Sequence, residues 1–368
     1  MKVIQICNYF ADFKGSFINQ LELLADKIKR SGGQCTFIFP KQAKELLWCT
    51  DLQMRHKIYF VSCINWRTRN VVKKELISIF NIEKPNLIHS HFDGYDVSIS
   101  KVSPFNSVQI YHRHNEFDVS NLTWYKKLYA LAHIKYKMYY LRNGGYSIFI
   151  SEDMYSEFLS KQYVKKEKAK IIFNGISTFS LENHKVTFKI FDKKVVFSLI
   201  GNWHRKGGDI IFEAIKTINE NENKVILACL ISDERLNKIK KDNKTLPTWL
   251  VPLRITNNIE EYFSFADLFI SASRKETFSY ALAEAVYFGL PCISSDINGV
   301  QWSKELKSVR FFESENIKAL IKEIEFSLVN EIDNSVLVND KETIKNKFSD
   351  NVWCINILSF YNEIIKLP

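Results

Sequence analysis

Residues 271–295 read SASRKETFSYALAEAVYFGLPCISS, and their reading decides the fold. Apolar Leu268, Phe269 and Ile270 precede the stretch, and Ile293 opens a second short apolar run after Pro291, so the order is strand, helix, strand. Gly289 and Pro291 form a stop signal, which places the helix at about Phe278 to Phe288. Glu276 and Glu284 stand with seven residues between them. Eight helical steps rise about 12 Å and return almost to the same face. The spacing predicts one carboxylate at the helix mouth and the other two turns down the same side. Such acceptors would suit two hydroxyl-rich groups joined by an anion at the helix N-terminus, where free N–H groups and the dipole favour negative charge. Two acidic residues on a helix are also ordinary surface, so the neighbouring segments must decide.

Leu199–Gly208, LIGNWHRKGG, ends an apolar run at Val195–Ile200 and begins a helical pattern at Asp209–Ile218. Gly201 permits a tight turn, while Arg205 and Lys206 put charge beside the helix mouth, which suits a diphosphate. In the first half, Gly15 and Ser16 lie between the first strand and the first helix, where small residues let backbone approach a ligand. His89-Ser-His91, beside Asp93, and Tyr111-His-Arg-His-Asn-Glu116 each follow a strand. Two HxH pairs suggest a metal on spacing alone, but no cysteine or carboxylate pattern completes the site.

The length of 368 residues suggests two domains. No apolar run reaches the roughly 18 residues of a transmembrane helix, and MKVIQICNYF reads as a first strand and not as a signal peptide. The seven scattered cysteines lack CxxC spacing, which argues against a zinc site and a disulfide framework and for a reducing cytosol. Residues 1–172 hold 26 Lys/Arg and 15 Asp/Glu, a net +11, and the remainder 25 and 26, a net −1. The excess is densest at Asn121–Arg142, where five basic residues alternate with Trp124, five tyrosines and leucines, and no acidic residue occurs. That composition fits an anionic membrane surface, and equally a packed helix whose lysines snorkel. Charge alone would allow nucleic acid, but no nucleic-acid module is present.

Strand-length apolar runs alternate with helical patterns throughout, which indicates α/β architecture. The strands expected are Val3–Cys7, Cys35–Phe39, Lys57–Val61, Leu87–His89, Val108–Tyr111, Ser147–Ile150, Val195–Ile200, Val225–Leu230, Leu268–Ser271 and Cys292–Ser295. Phe17–Arg30 reads as an amphipathic helix, Phe173–Lys194 as a linker, and Val352–Ile365 as a last, apolar-rich helix.

Ala266-Asp267, Ser273, Glu276, Phe278, Glu284-Ala285, Gly289 and Pro291, in that order, resemble the donor-site signature of family 4 glycosyltransferases, with its Glu-x7-Glu motif. Lys206-Gly207 match the phosphate loop of that family, although Asn202 stands where an Arg is usual and Arg205 is the available substitute. Phe173-Asn-Gly-Ile176 resembles the family's entry to the second domain, with Ser177 for the usual Asp, and Gly15-Ser16 stand for its Gly-Gly. The resemblance implies the GT-B fold: two Rossmann-like domains facing a central cleft, with the last helix crossing back to the first. Residues 1–172 with 352–368 would hold the acceptor, and 173–351 the nucleotide-sugar. It further implies metal-independent transfer with retained configuration to a glycan, glycolipid or glycoprotein, in cell-surface polysaccharide or glycoconjugate assembly. The enzyme would work in the cytoplasm, in reach of the inner face of the membrane. A UDP-sugar is slightly favoured as donor, and no cofactor is needed. The site residues implied are Glu276, His114, Lys206 and Arg205 for catalysis, and Gly15, Ser16, Asn202, Thr277, Phe278, Ser279 and Glu284 for the donor. A loop near Arg254–Asn257 would select the base. A sugar-nucleotide epimerase, or a non-catalytic partner of another transferase, can share the fold; the intact glutamate pair and Lys206-Gly207 favour transfer, while Asn202 leaves the second option some room.

Overall fold

A computed structural model describes residues 1–366 except 13, 66, 115–121, 179–191, 221–223, 255 and 257. The chain divides into two compact units, Met1–Gly175 with Asn351–Pro368, and Ile176–Asp350.

The first unit runs β1 (Lys2–Cys7), α1 (Gly15–Arg30), β2 (Gln34–Pro40), α2 (Leu47–Gln53), β3 (Lys57–Val61), α3 (Arg69–Glu83), β4 (Leu87–His91), α4 (Asp96–Val102), β5 (Val108–Arg113), α5 (Trp124–Gly144), β6 (Tyr146–Phe149), α6 (Glu152–Ser160) and β7 (Ala169–Ile171). Its sheet has the order β3-β2-β1-β4-β5-β6-β7, and every pairing is parallel. The second unit runs β8 (Lys194–Leu199), α7 (Gly208–Ile218), β9 (Val225–Leu230), α8 (Asp233–Asn243), β10 (Leu250–Leu253), α9 (Glu260–Ser264), β11 (Leu268–Ser271), α10 (Tyr280–Phe288), β12 (Cys292–Asp296), β13 (Val309–Glu313), α11 (Ile317–Val329) and α12 (Asn334–Phe348). Its sheet has the order β10-β9-β8-β11-β12-β13, again all parallel. The last helix, α13 (Asp350–Ile365), buries Trp353, Ile357, Phe360, Tyr361 and Ile364 in the first unit's core.

Both sheets are doubly wound, so their central strands are covered on both faces and read as near-continuous apolar runs. In each sheet the strand order reverses between two central neighbours, β1/β4 and β8/β11. Loops at the carboxyl ends of strands flanking such a point diverge and leave a crevice, the usual ligand position in open α/β sheets. The turns after β1 and β4 carry Gly15-Ser16 and Asp93, and those after β8 and β11 carry Arg205-Lys206 and Glu276.

The ten strands expected from sequence all form, with shifts of one or two residues at some ends. Three sheet-edge or near-edge features were not expected. β7 has three residues, β10 contains Pro252, which an edge strand tolerates because one N–H side is unpaired, and β13 ends the second sheet in Glu313. The linker expected at Phe173–Lys194 lies partly outside the described residues, as does Asn121 at the start of the basic segment.

Candidate active site

The helix of the glutamate pair starts two residues later than expected. α10 begins at Tyr280 with Ser279 as N-cap, so Glu276 precedes the helix and only Glu284 is helical. The reason is Phe278. Its ring is buried against Trp302 (centroids 5.2 Å apart, nearly stacked) and Phe348 (5.5 Å), and the Tyr280 N–H bonds back to the Phe278 carbonyl at 3.1 Å. Burying that ring fixes Glu276–Ser279 as a turn.

The turn delivers Glu276 to the loop after β8. The Glu276 carboxylate, only 8 % exposed, accepts from Lys206 Nζ at 2.5 Å, from the Ser273 hydroxyl at 2.9 Å and from Arg205 at 3.4 Å. Asn202 caps this loop: its side-chain oxygen accepts from the Arg205 N–H at 3.3 Å, and its carbonyl from the Lys206 N–H at 2.8 Å. The residue that departs from the expected Arg therefore shapes the turn that carries the two cations. Gly207 has φ +65°, and a Cβ there would come 2.0 Å from the Ala272 carbonyl oxygen. Only glycine lets the loop lie against the end of β11.

Two features here were not singled out from sequence. Arg274 donates to both carboxylate oxygens of Asp209 at 2.9 and 2.7 Å and to Glu315 at 2.7 Å, while its backbone N–H bonds the Arg205 carbonyl at 2.9 Å. It ties the loop to the turn, and the side-chain pairing with Asp209 raises its pKa. An Arg inside the quoted stretch and an Asp in the first turn of the following helix were the readable signals. Gly299 is the second feature. A Cβ there would sit 2.0 Å from the Glu276 carbonyl oxygen, so the Asn298–Ser303 turn abuts the backbone of Glu276. Ser279, expected at the donor, caps nothing: its hydroxyl is buried at the mouth of α10 with no hydrogen-bond partner. A buried orphan hydroxyl costs roughly 1–3 kcal/mol unless something supplies a partner. Thr277 is half-buried in the same turn, and Glu284 is half-buried on the fifth residue of α10.

In the first unit, Gly15 and Ser16 open α1, and Gly15 has φ +59°. The next residue, Phe17, sets its ring edge-on to His114, centroids 5.3 Å apart. His114 also stacks on Phe92 at 4.4 Å, so the structure brings the expected Gly15-Ser16 and His114 regions together. Phe92 and Asp93 both adopt left-handed backbone, with φ 60° and 66°. Asp93 is held by Lys137 at 2.8 Å and by Arg113. Burial opposes its ionisation, but Arg113 and Lys137 outweigh that and hold its carboxyl below the usual range. Burial raises the neighbouring Asp96, which shares Arg113.

The histidines form one hydrogen-bonded ladder. Gln5 donates to the Tyr361 hydroxyl at 2.9 Å, which leaves that hydroxyl to donate to His89 Nδ1 at 2.6 Å. His89 then donates from Nε2 to His112 Nδ1 at 3.2 Å. On the other side, His91 Nε2 donates to the Gln5 oxygen at 2.9 Å, so its Nδ1 must accept from His114 Nε2 at 3.0 Å. This proton order is set by the bonding pattern. Ligand nitrogens of His89, His91 and His112 do lie within 4.8 Å of one another. A metal there would have to break these bonds and bury its charge without an anionic ligand, a costly exchange. Burial pushes His89, His91 and His112 well below the usual histidine pKa and brings His114 down to about 3, so all four are neutral at pH 7.

Residues 180–343 match the family model for glycosyl transferases group 1. No curated protein sequence matches the chain. Among solved structures, a glycosyltransferase from Rickettsia africae superposes with a TM-score of 0.82 at 16% identity, over 100% of this chain and 99% of that one. HepE from Anabaena, in complex with UDP and glucose, superposes with a TM-score of 0.77 at 12% identity, over 98% and 99%. Sucrose-phosphate synthase from Thermosynechococcus elongatus gives 0.73 at 14% identity, over 99% of each chain. At these identities the likeness establishes fold, and the family match falls within the second unit. The chain thus has the GT-B fold, and residues 180–343 match a glycosyl transferases group 1 domain.

Proposed function

We propose that this protein is a retaining transferase of the family 4 type. It moves a sugar from a nucleotide-sugar, a UDP-sugar in the first instance, to a hydroxyl of a glycan, glycolipid or glycoprotein. Its place would be cell-surface polysaccharide or glycoconjugate assembly, on the cytoplasmic side. The observation that carries the reading is the Arg205–Lys206–Glu276–Ser273 cluster, with the unpartnered Ser279 hydroxyl at the adjoining helix mouth. Two cations and an unused hydroxyl at a helix N-terminus supply what a diphosphate needs. The complexes of HepE with UDP and with UDP-glucose support the choice of base.

In the proposed reaction the bond from the sugar's anomeric carbon to the diphosphate oxygen breaks, and a bond to the acceptor oxygen forms on the same face. The acceptor proton passes to the departing diphosphate. Lys206 and Arg205 stabilise the charge that develops there, a term that grows as water is excluded. Glu276 holds Lys206 before the donor arrives, so the ammonium does not have to be ordered during reaction. Glu284 accepts from the ribose, the Thr277–Ser279 turn addresses sugar and phosphate, and His114 lies on the acceptor side. The histidine ladder makes His114 a donor from Nε2 to His91 and keeps its ring neutral. The test is a panel of nucleotide-sugars with NMR of the first-formed product. An inverted linkage, or activity abolished by EDTA and restored by a divalent ion, would defeat the retaining, metal-independent part.

A further inference from the structure

Helix α5 is built inside out. Its buried residues, Ile134, Lys137, Met138 and Leu141, all fall in its second half, where Lys137 pairs with Asp93 at 2.8 Å. Lys137 therefore belongs to the packed face, and not to the exposed basic surface that its position in the sequence suggested. Leu122 to Tyr129 are exposed without exception, as are Leu131 to His133. About 15 Å of helix thus stands clear of its own unit. Trp124 is 75% exposed, Leu128 60% and Tyr129 76%. Tyr125, Tyr129, Ala132, Tyr136 and Tyr139 follow one another at steps of four, three, four and three, a continuous stripe on the side away from the buried residues. A helix in a soluble protein normally turns such a stripe toward the core.

A stripe with this period could take a second copy of the helix. The charges oppose that. α5 has no acidic residue, and Lys126, Lys127 and Lys135 are exposed. Lys101 of α4 adds a cation beside the stripe, bonding the Tyr136 hydroxyl at 3.2 Å and lying 4.1 Å from the Tyr140 ring centre. Two copies would bring like charges together with nothing to neutralise them. Tyrosine and tryptophan beside lysine instead fit the boundary between lipid headgroups and acyl chains. There an aromatic body is buried, its polar tip is hydrated, and ammonium groups meet phosphates.

We infer that α5 is a docking helix that seats the protein on an anionic lipid surface, with Trp124, Leu128 and the tyrosine stripe at the headgroup boundary and Lys126 and Lys135 over lipid phosphates. This deepens the proposed function by naming where a lipid-linked acceptor would be met. The test is independent of turnover.

The full chain is floated with phosphatidylcholine vesicles and with vesicles containing about one-third phosphatidylglycerol, at low salt. Binding to the second and not the first is expected. A lysine near such a surface changes partition roughly five-fold, so Lys126→Gln and Lys135→Gln together should weaken binding on the order of 25-fold. Tyr125→Ser with Tyr129→Ser should weaken it too, and both variants should release nucleotide diphosphate from donor as the parent does. Trp124 fluorescence quenched by brominated lipid would support the same contact even if a variant failed to fold. Equal affinity for both vesicles, no binding to either, or unchanged binding by the lysine variant would overturn the inference. So would a dimer that the tyrosine changes dissociate, or tighter binding to an acidic polymer than to vesicles.

Discussion

The Lys206–Glu276 pair can be tested as a unit, because its two members differ in exposure. Lys206 is 22% exposed and Glu276 8%. Lys206→Met leaves a nearly buried carboxylate with the Ser273 hydroxyl at 2.9 Å and a more distant Arg205 at 3.4 Å. Glu276→Gln leaves an ammonium that can reach water and an amide oxygen that still accepts from Ser273. Lys206→Met should therefore be the more destabilising change. A charge-assisted hydrogen bond contributes about 1.5–3 kcal/mol, and partial exposure of Lys206 lowers this to about 1–2 kcal/mol of coupling. For a chain of this size, that is a shift of a few degrees in melting temperature. Turnover should fall further, by roughly ten to a thousand-fold in either variant, or about 1.4–4 kcal/mol of transition-state stabilisation. The assay is a double-mutant cycle, read by urea denaturation for stability and by nucleotide diphosphate release for kcat/KM. The double variant should lose less than the sum of the singles in both readouts. Additive losses, or a Glu276→Gln protein less stable than Lys206→Met, would refute the pairing; wild-type turnover in both singles would remove these residues from the site.

Gly299→Ala forces a methyl group against the Glu276 carbonyl, which backbone cannot easily yield. It should cost about 1–3 kcal/mol in denaturation and lower kcat/KM, and an inert substitution would disprove the close approach. His89, His91, His112 and His114 are neutral in the fold with pKa values below the unfolded value, so the unfolded chain binds more protons as pH falls. Stability should be level above about pH 6.5 and fall below it, by up to about 1.4 kcal/mol per pH unit for each histidine; urea midpoints that match at pH 7.5 and 5.5 would contradict the neutral ladder. His114→Asn should lower transfer while leaving nucleotide diphosphate affinity within a few-fold by calorimetry. Because burial takes His114 to about 3, the wild-type pH–rate profile should show no ionisation belonging to it between pH 6 and 8.

The fold was legible because the evidence for it is repeated. Each central strand, such as Val225–Leu230, is covered on both faces and so announces itself as an apolar run. The edges were not, since a strand like Leu250–Leu253, with Pro252 inside it, pairs on one side and loses the pattern. In the candidate site, the family resemblance pointed to Lys206, Glu276 and His114, while the local geometry around Glu276 was not legible. The helix was expected to start at Phe278, with Glu276 at its mouth, because the Phe278 ring reads locally as helix-compatible. Its burial against Trp302 and Phe348, distant in sequence, makes the turn instead. Lys137 was grouped with exposed lysines for a similar reason: its partner Asp93 is 44 residues away, and no local pattern points to it.

The proposed function rests on the Arg205–Lys206–Glu276 cluster handling the diphosphate of a nucleotide-sugar. The direct measurement is nucleotide diphosphate release from a panel of UDP-, GDP- and ADP-sugars, by the parent chain and by Lys206→Met. The account predicts release from at least one donor, UDP-sugars first, and a loss of at least about 100-fold in the variant, the scale of a removed transition-state charge contact. Equal release by both proteins, or no binding or turnover of any nucleotide-sugar by a folded parent chain, would contradict it.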